Sequence, residues 1–535
     1  YEDGGFFDRN ASEPFDILDL VAAEEGIIST PSDSLEGDDF WDAVDVLRER
    51  GAPIPEYEDA TQIEDDKLDT TGLHDEEVWD MFRAVYEEGE MDKGVIRDSL
   101  AYFISNTKRF VAVEGKENGL FYYNDDKGVY ESDGASNKLA GLLRRKLRHH
   151  INNHEVNEIT AAVKQYSFIE EINGCDGHLN LKNGVLEVPT RTLHPKTDDN
   201  GRPQFQFKNV LDVEYDPDAE CGRWEDFIGE VLRHPSHGKK VQEYAGYCLM
   251  DWETPFDKAL YVVGRGSSGK STMLNTIKSI FGREASTALS PQQITDEKFH
   301  RHKLKDSMVN ISNDLDDAVI NNVGLWKRVV GNDPIAARGM YEEGEEFIPR
   351  AKHIYAANKL PKASHDDDAF YRRVLLVATP YQFKGDDVDT DLEDKLKEQK
   401  SGILNWMLDG LDRLLDQQHF TAQLPPEMVK GRWMAWADSP QRFLKVGISR
   451  VDDTITTHDE IREHYEAFCD ERSLNPTDYE ELKDEIKKLK GVRPKRTTRD
   501  GEQKRGFKGL ELIPQDDWPS LVPGGDDDES ESTED

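Results

Sequence analysis

The sequence predicts an α/β protein: a strand-and-helix core over 255–390, an α+β region before it, and a C-terminal unit whose element order suits a winged helix. Three observations predict this. The apolar run Ala259-Leu260-Tyr261-Val262-Val263 reads as a buried strand, a glycine-rich octapeptide follows at once, and 272–281 reads as a helix closed by Gly282. Further apolar runs at 307–312, 352–357 and 374–377 read as strands, the first two ending on Asn313-Asp314 and Asn358. Near the end, helical patterns at 458–473 and 478–490 precede an Arg/Lys-rich turn and a short strand at 509–513.

Taken in order, residues 1–76 form an acidic extension broken by Gly, Pro and Ser, expected to be partly disordered. Helical patterns with a hairpin near 120–130 make 77–174 a small α+β domain. Short strands and two helices over 175–254 lead into the core at 255–390. A helical connector occupies 391–437, the winged-helix-like unit 438–514, and an acidic tail 515–535. A chain of 535 residues exceeds one ordinary core, so several units are expected.

The formal charge of −42, from 109 acidic and 67 basic residues, would argue against a polyanion partner if it were evenly spread. It is not: residues 1–100 hold 31 Asp/Glu and 7 Lys/Arg, a net of −24, whereas 487–508 hold ten Lys/Arg and two acids, a net of +8. A carboxylate-rich surface on an enzyme-like chain also suggests a halophilic source, since molar salt screens repulsion within about 3 Å. Cys175, Cys221, Cys248 and Cys469 form no C-x-x-C pair, which fits a reducing cytoplasm. The grouping of Cys175 and His178 with His149, His150 and His154 lacks a second pair at ligand spacing, so no zinc site is expected. No apolar run is long enough for a membrane span and no signal peptide opens the chain, so a soluble intracellular protein is expected. The first residue is Tyr1 rather than Met, as in a fragment.

The octapeptide Gly264-Arg265-Gly266-Ser267-Ser268-Gly269-Lys270-Ser271 fits G-x-x-x-x-G-K-[ST] at every fixed position. Its glycines let backbone N–H groups curl round phosphates, Lys270 reaches the outer phosphate oxygens, and the Ser271 hydroxyl suits a magnesium ion. Thr272 continues the loop into the helix. ATP and Mg²⁺ are therefore the expected cofactors. Asp314, at the tip of the strand 307–312, is the candidate second magnesium holder, with Asn313 placed to orient water. Asn358, at the end of the strand 352–357, is placed to sense the outermost phosphate. Arg372 and Arg373, just before the strand 374–377, are candidates for a transition-state-stabilising arginine finger.

In this order, with Gly331-Asn332-Asp333-Pro334-Ile335-Ala336-Ala337-Arg338, Asn358-Lys359-Leu360-Pro361 and Phe370-Tyr371-Arg372-Arg373, the motifs resemble superfamily 3 helicases, specifically the C-terminal helicase region of phage, plasmid and poxvirus primase-helicases. The resemblance spans roughly 175–510. It implies a P-loop, AAA+-like ATPase core, a hexameric ring with nucleotide between neighbouring subunits, and movement along one strand of single-stranded or forked DNA. Lys270, Ser271, Asp314 and Asn358 would then act in cis and Arg372 or Arg373 on the next subunit's ATP. A primase or polymerase partner is implied, and no membrane.

The family's channel hairpin grips DNA with basic residues, but the corresponding stretch here has an acidic tip, Glu342-Glu343-Gly344-Glu345-Glu346. The grip is expected either at the hairpin base, through Arg338, Arg350 and Lys352, or through stacking by Tyr341. A second DNA surface is expected at Lys487, Lys488, Lys490, Arg493, Lys495, Arg496, Arg499, Lys504 and Arg505. Two alternatives to an ATP-dependent helicase stay open: the helicase portion of a larger primase-helicase, and an ATP-dependent DNA-binding loader without unwinding. No paired-aspartate polymerase site precedes residue 250, so priming by this chain is not expected.

Overall fold

The computed structural model describes residues 68, 75–113, 119–169, 172, 175–253, 255–315, 318–338, 344–361, 367–385, 389–472, 474, 476–499 and 502–518. The readings made for 1–67 and 519–535 lie outside them. The chain divides into two compact units, one of residues 1–103 and 143–162, the other of 104–142 and 163–535.

In the first unit, α1 (Asp75–Glu88) buries Val78, Trp79 and Phe82. Trp79 meets Phe103 of α2 (Lys93–Asn106) edge-on at 5.5 Å.

The second unit opens with a four-stranded sheet of order β3-β2-β1-β4, from β1 (Phe110–Val113), β2 (Leu120–Asn124), β3 (Val129–Glu131) and β4 (Phe168–Ile169). The hairpin expected near 120–130 is β2–β3, its loop closed by Gly128 at φ +70. The helices α3 (Ala135–Leu147) and α4 (Asn153–Tyr166) follow β3 in the chain. A three-stranded meander comes next: β5 (His178–Leu181), β6 (Gly184–Glu187) and β7 (Thr192–His194). Asn180 of β5 ties the meander to the β2–β3 hairpin, donating to the carbonyls of Gly128 at 3.0 Å and Lys127 at 3.2 Å.

The two lead-in helices are α5 (Gly222–Leu232) and α6 (Pro235–Tyr247). The core sheet beyond them has five parallel strands: β8 (Ala259–Gly264), β9 (Ser286–Thr287), β10 (Val309–Ser312), β13 (Lys352–Ala357) and β14 (Val374–Thr379), in the order β14-β8-β13-β10-β9. Between them lie α7 (Lys270–Phe281), α8 (Pro291–Asp296), α9 (Lys298–Arg301), α10 (Val323–Val330), the antiparallel pair β11 (Ile335–Arg338) and β12 (Gly344–Phe347), and α11 (Asp368–Tyr371).

All six β8 residues are buried because helices cover both faces of the sheet. The alternation of a strand sorts them: Leu260 and Val262 join one cluster with Met273 and Ile277 of α7, and Ala259, Tyr261 and Val263 join another with Trp326 of α10. The second cluster also takes Trp433 of α14 (Pro426–Ala437), whose ring lies 4.8 Å from that of Tyr261. The connector is α12 (Leu392–Lys397) and α13 (Lys400–Gln417) before α14. Gly410 lets α13 approach α6 closely, since a Cβ there would come within 2.4 Å of the Gln242 carbonyl oxygen.

The C-terminal part begins with α15 (Ser439–Val446) and β15 (Ile448–Ser449). It continues through β16 (Ile455–Thr457), α16 (His458–Glu471), α17 (Tyr479–Lys487), β17 (Arg493–Arg499), β18 (Glu502–Lys508) and β19 (Glu511–Leu512). Thr457 and Glu460 form a capping box that starts α16. The Arg/Lys-rich turn of the sequence reading is here a regular hairpin, β17–β18, completed by β16 into a three-stranded antiparallel sheet. Its anchor is Phe507, which is fully buried, and Gly506, where a Cβ would lie 2.1 Å from the Thr456 carbonyl oxygen.

Candidate functional site

The octapeptide leaves the C-terminal end of β8 and enters α7 at Lys270, the edge at which parallel sheets present their ligand sites. Its glycines answer to space and to backbone angle. A Cβ at Gly264 would meet Thr379 Oγ1 at 2.0 Å, and Gly269 adopts φ +83 with Val231 of α5 close beneath it. At Gly266 nothing lies within 4 Å, so that side of the loop is open. Ser267 is left-handed at φ +58, and the turn is braced from behind: Phe383 N donates to Ser267 O at 2.8 Å, Gln382 Nε2 to Gly266 O at 3.0 Å, and the Ser268 and Thr379 hydroxyls lie 2.8 Å apart. No side chain caps α7, whose N-cap is Gly269, so its first-turn N–H groups remain for an anion. Ser271 is exposed there and Thr272 half-buried.

Lys270 is buried and folded back onto its own loop. Its Nζ donates to the carbonyls of Gly264 and Arg265, both at 2.8 Å, to Ser268 Oγ at 3.2 Å and to Asn358 Oδ1 at 3.1 Å. Burial pushes the ammonium down to about 8, against the opposing pull of the Asp314 carboxylate. The structure thus brings Lys270, at the start of the helix that follows β8, and Asn358 and Asp314, just past the ends of β13 and β10, to one edge of the sheet. Asp314 is exposed. Asn313 turns aside: its Nδ2 donates to Asn275 Oδ1 of α7 at 2.5 Å, and Asn275 Nδ2 donates to Glu393 of α12 at 3.0 Å. Sequence reasoning missed Asn275 and Glu393. The signal for Asn275 was its position four residues after Ser271, on the same helical face.

Arg372 and Arg373 lie elsewhere. They precede β14, whose Val374 pairs with Ala259 at the start of β8, so they sit at the edge opposite their own loop. Five residues of strand separate the two edges, roughly 16 Å at about 3.3 Å per residue. Arg373 is held locally, donating to Ala369 O at 3.1 Å and pairing with Asp257 at 3.4 Å. Arg372 is exposed, and no described residue pairs with its guanidinium.

The hairpin expectation needs correction. Lys352 is 3 % exposed, its Nζ donates to the Met250 and Glu253 carbonyls, and the Tyr247 ring lies 5.1 Å from it. Burial lowers its ammonium and raises the carboxyl of the neighbouring Asp251, so Lys352 is a core group that cannot reach a phosphate. Arg350 donates to Asp251 O at 3.2 Å, on the same structural tie. Arg338 ends β11 and is exposed. Tyr341 lies outside the described residues.

The basic residues of the C-terminal sheet divide into two groups. Lys487 pairs with Asp484 at 2.6 Å, Lys488 with Glu485 at 2.5 Å and Lys504 with Asp459 at 3.6 Å. Lys490, Arg493, Lys495, Arg496 and Arg505 are exposed with no hydrogen-bond or ion-pair partner among the described residues, Arg493 acting on Asp453 only at longer range, and Arg496 stands directly opposite Arg505 in the β17–β18 register. Like charges facing across a strand pair destabilise it unless an anion lies between them. Arg499 ends β17, and its side chain lies outside the described set. Helix α17 by contrast exposes Glu480 as well as Glu481 and Asp484.

Among the described residues no helix is long and apolar enough to cross a membrane. Residues 90–233 match a family described as D5 N terminal like, and residues 262–373 match a family of unknown function, DUF5906. The chain is 26 % identical over 336 residues to the "Putative helicase L207/L206" of Acanthamoeba polyphaga mimivirus, a match covering 54 % of this chain and 32 % of that protein. The chain therefore spans about a third of the length of that curated relative. Among solved structures, the apo NrS-1 C-terminal region (305–718) aligns at a TM-score of 0.42 and 10 % identity over 78 % of this chain and 100 % of that one. Its A form aligns at 0.41 and 10 % identity over 76 % of this chain and 98 % of that one. The resemblance to a virus-type primase-helicase region is borne out by the D5 N terminal like match and the viral relative.

Proposed function

We propose that this chain is an ATP-dependent DNA helicase or translocase of superfamily 3, working as a hexameric ring in the replication of a virus, plasmid or provirus. The observation that carries the reading is the convergence of Lys270, Asn358 and Asp314 at the C-terminal edge of a five-stranded parallel sheet, beside an uncapped helix N-terminus. The strand order supports an AAA+-like core, because β8 lies between two strands that come later in the chain and so opens a crevice at its end.

The residues fit a nucleoside triphosphate and magnesium. A desolvated lysine held by neutral carbonyls is a cation without a counter-charge beyond Asp314, and the open side at Gly266 gives an anion its approach. Loop amides and Lys270 would hold the phosphates, and Ser271 with Asp314 would hold the ion. Magnesium would supply charge neutralisation at the phosphate oxygens. Asn313, fixed by Asn275, orients the catalytic edge from α7, and Asn358 reports the state of the loop to β13. Arg372 is exposed at the sheet edge opposite its own loop, which supports action on a neighbouring subunit.

DNA is held by the exposed cations of the β17–β18 hairpin, Arg493 and Lys495 on one face and Arg496 and Arg505 on the other. The element order β16-α16-α17-β17-β18 supports a winged helix that uses its wing, since its second helix is acidic. The test is strand displacement and DNA-stimulated ATP hydrolysis by the whole chain at high and low salt. Binding of nucleotide and DNA without stimulated turnover would favour a loader instead. Because the viral relative is about three times longer than the matched stretch, a larger primase-helicase of which this is the motor portion is the second reading.

A further inference from the structure

The meander β5–β6–β7 precedes the core sheet in the chain and carries a cluster of its own. His178 on β5 is the direct cross-strand partner of Glu187 on β6. On the other side of β6, Glu187 is opposite Thr192 and Val185 is opposite His194. Residues two apart share a face of a strand, so His178, Glu187 and His194 project from the same face of the three strands. One ligand atom from each lies within 4.8 Å of the other two.

Three further features distinguish the cluster from a chance gathering of polar side chains. The first is spacing: His194 Nε2 lies 3.4 Å from Glu187 Oε2, and two ligands about 2.0–2.1 Å from one tetrahedral ion are themselves about 3.3 Å apart. The second is orientation. His178 Nδ1 lies 2.8 Å from the Asp176 carbonyl oxygen, which fixes that nitrogen as the N–H and leaves the Nε2 lone pair for a ligand role. The third is backing: Phe205 lies against both imidazoles, with ring centroids 5.5 Å from His178 and 6.2 Å from His194, restricting their rotation. Thr190 donates to Glu187 Oε2 at 2.7 Å and fixes the carboxylate in turn. All three ligands are half-buried, within reach of solvent.

We propose that His178, Glu187 and His194 form a divalent-metal site of the zinc class, with three protein ligands and one position left for water. Two imidazoles and a carboxylate suit a borderline ion of tetrahedral preference, and harder ions such as magnesium would take more oxygens. A bound ion ties the two outer strands of the meander, β5 and β7, to β6 between them. This site is separate in residues and chemistry from the nucleotide edge, so it stands whether or not the chain hydrolyses ATP. The sequence pattern, a histidine and a glutamate nine positions apart with a second histidine seven further on, hid it because the ligands meet only through the strand register.

The experiment is calorimetric titration of the whole chain, free of any polyhistidine tag, with zinc alone, alongside a His178→Ala/His194→Ala variant and a Glu187→Gln variant. The expected result is one tight site in the parent, absent in the double variant and weakened about tenfold or more in Glu187→Gln, since even outer-shell losses cost roughly 10–100-fold. Cobalt in place of zinc should give the visible absorption of a tetrahedral ion. Zinc should raise the melting temperature of the parent but not of the double variant. Equal zinc affinity in parent and double variant, or no site in the folded parent, would overturn the proposal and leave His194–Glu187 as an ordinary hydrogen bond.

Discussion

Arg265, the first variable residue of the glycine-rich loop, pairs with Asp470 of α16 at 2.5 Å and donates to the Leu474 carbonyl at 3.1 and 3.2 Å. The glycine-rich loop is therefore in direct contact with the part of the chain that carries the basic hairpin.

From this contact, Arg265→Ala should leave basal hydrolysis within about threefold of the parent while reducing its stimulation by DNA, a coupling of 1–3 kcal/mol corresponding to roughly 5–150-fold. Asp470→Asn should do the same. Steady-state hydrolysis with and without single-stranded DNA measures both. Full stimulation in both variants would show the contact to be structural.

Lys270→Ala should fold normally and lose hydrolysis, because the lysine makes only polar contacts within its own loop and to Asn358. Asp314→Asn, at an exposed position, should bind nucleotide and fail to turn over. Asn275→Ala releases Asn313 and should lower turnover without altering nucleotide affinity. Circular dichroism, nucleotide binding and hydrolysis separate the three, and near-parental turnover in all of them would dismantle the assignment of this edge.

If Lys270 meets phosphate as proposed, its depressed ammonium should give nucleotide binding a pH dependence. Its value in the free protein is about 8, pushed down by burial from an ordinary lysine's range. Below that pH the group is charged and meets phosphate directly. Above it the free protein holds a neutral amine, and binding must take up a proton, so affinity should fall by up to about tenfold per pH unit. Lys270→Arg, which stays charged, should lose this slope even if its affinity is lower. A flat affinity profile from pH 7 to 10 in the parent would show that the loop lysine is not titrating.

Arg372 is exposed at the edge opposite its own loop, whereas Arg373 is tied to Ala369 and Asp257. Arg372→Ala should therefore abolish hydrolysis through the neighbouring subunit's site and Arg373→Ala should act mainly on stability. Mixing Arg372→Ala with Lys270→Ala protein, each inactive alone, should restore activity, because some interfaces then join an intact loop to an intact arginine. A finger contributes about 10³ to 10⁵ in rate, so a minority of repaired interfaces is visible. Mixed assemblies without recovery would place the arginine's role in cis.

The core was legible because its strands are apolar on both faces and its loop has a fixed spacing. The strands expected at 259–263, 352–357 and 374–377 are β8, β13 and β14, and Gly282 closes α7 at φ +69 as expected. The hairpin β17–β18 was not legible as strands, because Arg493 to Arg499 contains no apolar residue except Pro494 and so shows no period-two signal. Pairing with β16 and the burial of Phe507 decide it, and both are tertiary facts. Lys352 was misread for a related reason: a lysine at the start of an apolar strand looks like a surface residue unless the carbonyls of Met250 and Glu253, a hundred residues away, are known to receive it.

The last prediction concerns how an acidic protein holds an acidic track. Arg493, Lys495, Arg496 and Arg505 have no described hydrogen-bond or ion-pair partner, whereas Lys487, Lys488 and Lys504 pair with Asp484, Glu485 and Asp459. On the proposed reading these four, with Lys490, are the cations available to displace counterions from DNA, and the four on the hairpin are the ones tested. Each phosphate contact lowers the logarithm of affinity by roughly 0.9 per decade of salt for a duplex and about 0.7 for a single strand. Neutralising all four to Gln should therefore flatten the salt slope by about 3 to 4 and weaken low-salt binding equally across sequences. The same change at Lys487, Lys488 and Lys504 should alter the slope by much less, since those charges are paired within the protein. Relief of the Arg496–Arg505 repulsion should also make the four-residue variant slightly more stable in the absence of DNA. Binding isotherms across a salt series, with thermal melts of both variants, measure these outcomes. An unchanged slope in the four-residue variant would remove the hairpin from the account of DNA binding.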